Sequence, residues 1–481
     1  MKKIITIFSI VLLSVGCNEL LDVKVTSYIT NDSYWQGEGD VTGYMNGIYV
    51  DLRDQMNATY GHREERSDAF VAGLEGSVSN AWAQNLTDAN APSWGSYYTL
   101  NHHCNLVIKY GPTTEPNTAN VKRAVASAYV LRAYNYFMLI RIWGDVPIVL
   151  EPTESNSIPL PVRAPAADVM TQILNDIEEA IKLFPENGYV DKNTVSKPVA
   201  YALKADALLW KNKVLGGTNQ DLLDAIDAAD QVLASGVNLL PNFADVFSVD
   251  NKKNEEIIFA LYFGREEKSD HYGSRLKPRD IFVNTAQNKN NLAYAVQTRA
   301  RSVYAPSDAI KNIYTSANDV RKAASVITAI DASSNVIGSF DNKFRGKDYD
   351  GAGDRYYEDD LIIYRAAEMI LFKAEALAAL DRIPEAIVEL QKIRDRAHSG
   401  TYTGATDKRS VEREILDERF RELWLEQRRW PDLVRFHYGN TINVYNEVPN
   451  LVGKTIPLFY PILQTEINLN PNLDQTTGYN F

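Results

Sequence analysis

The chain has 481 residues, 45% of them hydrophobic and 23% charged, which supplies apolar material for a large folded core and excludes a disordered chain. Its formal net charge of −12 disfavours a nucleic-acid partner, because phosphates would be repelled unless basic residues were concentrated locally, and no such concentration occurs. A sugar or a peptide suits this balance better.

Met1 to Gly16 reads as a targeting segment. Lys2 and Lys3 form its charged start, Ile4 to Val15 its apolar run, and the small residues Ser14 and Gly16 precede Cys17. This run is too short to span a membrane, and no other segment is apolar enough to do so. Lipidation of Cys17 is the preferred reading; the alternative is an ordinary secretory signal cut elsewhere. Leu13 sits one place early for the usual lipoprotein motif, with Ser14 where leucine is common. Losing the leader would remove Lys2 and Lys3 and make the mature chain two charges more negative. A lipidated Cys17 leaves Cys104 alone, so the mature protein would have no structural disulfide. Acyl chains contribute about 0.8 kcal/mol per buried methylene, so the multiple chains of a bacterial lipoprotein hold it stably on a bilayer. Asn18 to Thr30 then reads as a polar tether with one apolar patch at Leu20, Leu21 and Val23.

Helical periodicity begins with Val121, Ala124, Val125, Ala128, Leu131, Tyr134 and Met138, ending near Gly144 and Pro147. Val169, Ile173, Ile177, Ala180, Ile181 and Phe184 give a second stripe. A paired set follows: Pro198 suits a first helical turn, Gly216-Gly217 ends that helix, and Leu222, Leu223, Ile226, Ala229 and Leu233 mark its partner. The arrangement recurs with Ile362, Ala366, Met369, Ile370, Leu377 and Leu380 on one predicted helix, a restart at Pro384, and Ala386, Ile387, Leu390, Ile393 and Ala397 on the next. Ala374, Ala376, Ala378 and Ala379 would let two backbones approach closely, as tetratricopeptide-like hairpins require, although any helical bundle uses alanine in this way.

Two stretches lack periodicity, Tyr60 to Pro92 and Phe263 to Pro306, and both are rich in Asn, Gly, Ser, Arg and Tyr. Long irregular segments of compact proteins often carry function, so a ligand site is expected there. A neutral oligomer calls for aromatic planes beside fixed polar groups. Trp94, Trp143, Trp210, Trp424 and Trp430 lie in or beside helical stretches and are expected in the core, and Trp35 lies in the amphipathic N-terminal stretch. That leaves Trp82 as the first stacking candidate, followed by Tyr60, Tyr272 and Tyr294. Arg66, Asp68 and Asn85 are the nearby polar candidates, with capping of their own irregular backbone as the competing role.

Catalytic and cofactor signatures are missing from the sequence: there is no phosphate-cradling glycine loop, His-Glu-x-x-His helix or Gly-x-Ser-x-Gly elbow. Asp359-Asp360 are adjacent and point apart, so they cannot flank one glycosidic bond and read as a solvated helix start. His102-His103-Cys104 would project about 100° apart on a helix and cannot converge on one metal ion unaided. Asp348, Asp350, Gly353, Asp354 and Asp359 partly mimic a calcium loop, but Ala352 offers no side-chain oxygen, and a flexible acidic turn is the default. Neither a metal nor a cofactor is expected.

Several stretches together resemble the SusD/RagB family: Ala128 to Val149, Val169 to Pro185, Leu361 to Ala397, Ile415 to Arg435, and the terminal run from Tyr460-Pro461-Ile462 through Asn470-Pro471-Asn472-Leu473 to Gly478-Tyr479. Thr476-Thr477 is a small departure from the family pattern. The resemblance runs over nearly the whole chain and implies a mostly α fold with tetratricopeptide-like hairpins and irregular ligand-binding loops. It implies a signal peptide at 1–16, a lipidated tether at 17–30 and one domain over 31–481. Functionally, it implies a non-enzymatic lipoprotein on the outer face of an outer membrane, sitting as a lid on a SusC-type TonB-dependent transporter and delivering an oligosaccharide to it. Peptide capture is the alternative, and a glycan-degrading enzyme the third reading. Arg132 and Arg365 would be scaffold residues paired with buried carboxylates or carbonyls, and Trp143 would pack.

Overall fold

A computed structural model of the chain describes residues 31–155, 159–294, 301–351, 353 and 355–479. The targeting segment, Cys17 and the tether lie outside them. The fold is mostly α-helical: α1 (Glu38–Ala58), α2 (Gly95–Tyr110), α3 (Ala119–Trp143), α4 (Ala166–Leu183), α5 (Lys197–Val214), α6 (Asn219–Leu233), α7 (Ala366–Ala379), α8 (Ile383–Arg396), α9 (Lys408–Leu423) and α10 (Arg429–Tyr438).

Helix α3 is buried almost all round from Val125 to Trp143, as expected of a helix enclosed by others, and α1, α2 and α4 pack around it. Thr118 caps its start by accepting the Val121 N–H, and Gly144 ends it at φ 75°, a left-handed value that costs glycine little. Arg132 crosses to α4 and grips Asp176 through both carboxylate oxygens at 2.8 and 2.7 Å, while Trp143 packs among Trp94, Tyr97 and His62.

Two helical hairpins follow the predicted pattern. Pro198 sits in the first turn of α5, and Thr218 with Asp221 forms the capping box that starts α6 after Gly216-Gly217. Helices α7 and α8 form the second hairpin, with Pro384 in the first turn of α8 and Ala374, Ala376 and Ala378 buried. Helix α7 also packs on α6, joining the hairpins side by side.

The predicted helix from Ile362 begins later than expected. Leu361–Arg365 is a wholly buried strand paired antiparallel with Ile257–Leu261, and the helix starts at Ala366. A β-branched, apolar run of this kind takes its conformation from a partner distant in sequence. Asp359-Asp360, expected as a solvated helix start, are drawn inward just before this strand. Asp359 is buried and accepts the Gly346 N–H, and Asp360 accepts the Phe263 N–H and pairs with Lys252 at 3.1 Å.

A dense ionic layer lies between the start of the Ile257–Leu261 strand, α8 and α9. Arg365 reaches Glu256, Glu422 and Glu426 at 2.6–2.7 Å, while Arg321 holds Asp319, Glu418 and Glu422, all of them buried. Such a layer costs desolvation and persists because every charge is paired.

Candidate ligand-binding site

An open cleft of about 800 Å³ is formed where the two irregular segments meet. Strand Phe70–Ala72 pairs antiparallel with Tyr304–Pro306, and this pairing ties residues 58–79 to residues 301–304. Gly73 permits the close approach, since a Cβ there would overlap the Ser302 carbonyl and neighbouring backbone. The short helical turn of Tyr272–Leu276 closes the third side, with the Val303 N–H donating to the Arg275 carbonyl at 3.0 Å.

Tyr60, His62, Glu65, Ser77, Ser79, Asp270, Ser274, Arg275, Arg301 and Tyr304 supply the functional groups of the lining. The Tyr60 ring stacks on Tyr272 with centroids 5.0 Å apart and planes 6° off parallel, and it lies under the Arg275 guanidinium. Tyr304 stacks on Phe70 at 5.3 Å, and its hydroxyl accepts the Ser79 N–H at 3.0 Å. The Ser79 hydroxyl donates to the Glu65 carboxylate, and the Ser274 hydroxyl donates to Asp270 at 2.9 Å. Burial raises the Glu65 pKa, although its hydroxyl partners and Arg275 oppose the rise. Burial, with the nearby Glu65 charge, pushes Tyr304 up to about 12. Burial and the Arg63 charge bring His62 down to about 3, so its imidazole is neutral at physiological pH.

The sequence-selected residues divide into three groups. Tyr60 and Tyr272 meet at the cleft, but as a buried stacked pair: Tyr60 is 4% exposed, and Tyr272 is buried with its hydroxyl turned to the Leu425 carbonyl. Trp82, Asn85 and Tyr294 lie outside the lining. The indole N–H of half-buried Trp82 donates to the Phe70 carbonyl at 3.0 Å, bracing the wall from behind. Asn85 is exposed beside Lys454, and Tyr294 packs in a small separate cluster with Val283, Leu292 and Phe340.

Arg66 and Asp68 are corrections to the expectation of polar ligand contacts, because both are consumed by the core. Arg66 donates to Gln84 and to the Leu458 and Pro457 carbonyls, lying 4.5 Å from the Trp430 ring centroid. Asp68 takes a two-pronged pair from Arg429 at 2.7 Å. Glu65, Ser79, Ser274, Arg275 and Arg301 line the cleft without having been singled out. They lie inside the irregular segments, and nothing in local composition separates them from neighbours that turn inward.

Of the metal candidates, Asp354 lies outside the described residues, and Asp348, His102 and His103 have partners within the protein. Asp348 has both carboxylate oxygens occupied by the backbone N–H groups of Asp350, Gly351 and Gly353. On α2, His102 accepts the Thr153 N–H, His103 bonds the Tyr44 hydroxyl, and Cys104 is buried. Among the described residues, no group of His, Cys, Asp and Glu side chains could hold a metal ion.

Comparison with known proteins places this architecture. A profile of the SusD family matches residues 216–479, and a second, described as "Starch-binding associating with outer membrane", matches residues 21–209. SusD-like protein P25 of Formosa agariphila is 23% identical over 97% of this chain and 96% of its own length. The starch-binding protein SusD of Bacteroides thetaiotaomicron is 23% identical over 75% of this chain and 74% of its own. Among solved structures, NanU of B. fragilis superposes with a TM-score of 0.83 at 25% identity, covering 95% of this chain and all of that one. The SusD profile spans more than half of the chain, and the helical body agrees with it: the chain belongs to the SusD family.

Proposed function

We propose that this protein is an outer-membrane surface lipoprotein that captures an oligosaccharide in the 800 Å³ cleft and passes it, unaltered, to a SusC-type TonB-dependent transporter. The observation that carries the reading is the cleft itself. Backbone pairing between two irregular segments fixes its walls, and hydroxyl, carboxylate and guanidinium groups of the kind that hold sugar hydroxyls line it. The matched profile's description and the name of the Bacteroides thetaiotaomicron relative both speak of starch binding, which supports a saccharide as the ligand class. Both describe binding rather than turnover. Cys17 is the proposed lipidation site, and residues 31–481 the proposed single domain behind its tether.

Calorimetric titration of the mature chain with a panel of oligosaccharides and short peptides tests the reading, alongside Ser77→Trp, which adds bulk to an exposed cleft residue. Saccharide binding that Ser77→Trp abolishes is the expected result. Binding that survives the substitution would move the site elsewhere, and peptide binding alone would replace the ligand class. Glu65 and Asp270 share the cleft, so the bound sugar should also be recovered and checked for new reducing ends. Their appearance would convert the protein to an enzyme.

A further inference from the structure

The lining of the cleft points away from a neutral sugar. Stacking on a sugar face needs an exposed aromatic plane, yet Tyr60 and Tyr304 are 4% and 1% exposed, covered by Tyr272 and Phe70. Recognition must therefore come from polar groups. The carboxylates are already engaged, Glu65 by the Ser79 hydroxyl and Asp270 by the Ser274 hydroxyl. The guanidiniums are not. Among the described residues, neither Arg275 nor Arg301 has a side-chain hydrogen bond or ion pair; Arg275 lies over the Tyr60 ring at 5.7 Å and feels the Glu65 carboxylate at longer range. Many arginines elsewhere are held by carboxylates, as at Arg132, Arg279, Arg365 and Arg429, although among the described residues Arg265 lies only over the Tyr349 and Tyr356 rings. Arg275 and Arg301 balance Glu65 and Asp270 in formal charge, so the cleft is less negative than a chain carrying −12 as a whole.

Resting on the reading of this cleft as the saccharide site, we propose that its ligand is an acidic saccharide whose carboxylate is held by Arg275 and Arg301. A guanidinium offers paired N–H donors that match the two oxygens of a carboxylate, and such charge-assisted bonds are roughly twice as strong as neutral ones. The Ser79 and Ser274 oxygens and the second carboxylate oxygen of Asp270 can still accept ring hydroxyls.

The test is titration of the mature chain with uronate-bearing oligosaccharides of several linkages, each paired with its carboxyl-reduced neutral counterpart. Wild type should bind at least one acidic member about tenfold or more tightly than its neutral twin. Arg275→Gln with Arg301→Gln should erase that difference, and Arg275→Lys should keep part of it, since the charge stays while the fork is lost. Circular dichroism and thermal melts check that the variants fold. Equal binding of acidic and neutral twins, or a preference unchanged in the double variant, would overturn the inference and leave the cleft reading standing. If Ser77→Trp leaves binding intact, the cleft reading itself fails.

Discussion

Removing Arg365 should expose the energetics of the ionic layer. The side chain is fully buried, and its guanidinium is shared by Glu256, Glu422 and Glu426 at 2.6–2.7 Å, with a further contact to the Phe247 ring at 5.6 Å. Arg321, Arg396 and Lys343 pair with the same carboxylates, so Arg365→Met makes the layer one charge more negative while Glu256, Glu422 and Glu426 each keep another cation. Breaking a buried pair in this way costs about 3–5 kcal/mol. The pH dependence has a definite sign. Burial alone would raise Glu422, but the Arg396, Arg365 and Arg321 charges outweigh it and hold the carboxyl well below its ordinary range; Glu426 is lowered in the same manner. In the wild type these groups contribute stability that is present above their unfolded pKa and lost as pH falls through the folded one. In the variant these carboxyls, with one cation fewer, take up a proton more readily, so the deficit should shrink on acidification. Urea unfolding followed by far-ultraviolet circular dichroism at neutral and mildly acidic pH measures this. Adding Glu426→Gln should recover part of the loss by restoring charge balance. A loss under about 1 kcal/mol, or a second substitution that merely adds its own penalty, would refute the charge-balance reasoning.

Other parts of the molecule yield sharper, smaller expectations. Gly73→Ala forces a methyl group onto the Ser302 carbonyl, so it should displace the 301–304 wall and weaken saccharide binding while leaving helix content unchanged; unaltered affinity would remove that wall from the site. Burial pushes Asp359 up to about 7, so between about pH 4 and 7 the folded chain keeps a proton that the unfolded chain has released, and stability falls as pH rises. Asp359→Asn keeps an acceptor for the Gly346 N–H and should gain on the wild type across that window; a constant difference between the two would contradict the assignment. Cys17→Ala should shift the protein from the membrane to the soluble fraction, and unchanged membrane association would reject lipidation there.

Much of the helical frame was legible because it is written in local periodicity. Helix α3 and both hairpins carry apolar residues at three- and four-residue steps, with Pro198, Gly216 and Pro384 punctuating them where predicted. Leu361–Arg365 escaped because its apolar run suits helix or strand, and the decision rests with Ile257–Leu261, a hundred residues upstream. The two irregular segments were visible as breaks in periodicity, and the structure brings them together through the Phe70–Ala72 pairing. Their individual side chains could not be sorted, because what decides between core and cleft is long-range. Arg66 is captured by carbonyls at 457 and 458, and Asp68 by Arg429. Arg275 looks no different in sequence, yet nothing arrives to pair with it among the described residues.

The claim that the cleft between residues 60–79, 269–275 and 301–304 receives a saccharide is tested most directly by a crystal structure of the mature chain grown with its tightest-binding acidic oligosaccharide. Sugar density within the cleft, with a carboxylate at hydrogen-bond distance from Arg275 and hydroxyls on Ser79 or Asp270, is the expected result. Density seated only on another surface, such as the aromatic depression at Tyr438, Tyr445 and Phe459, would contradict it.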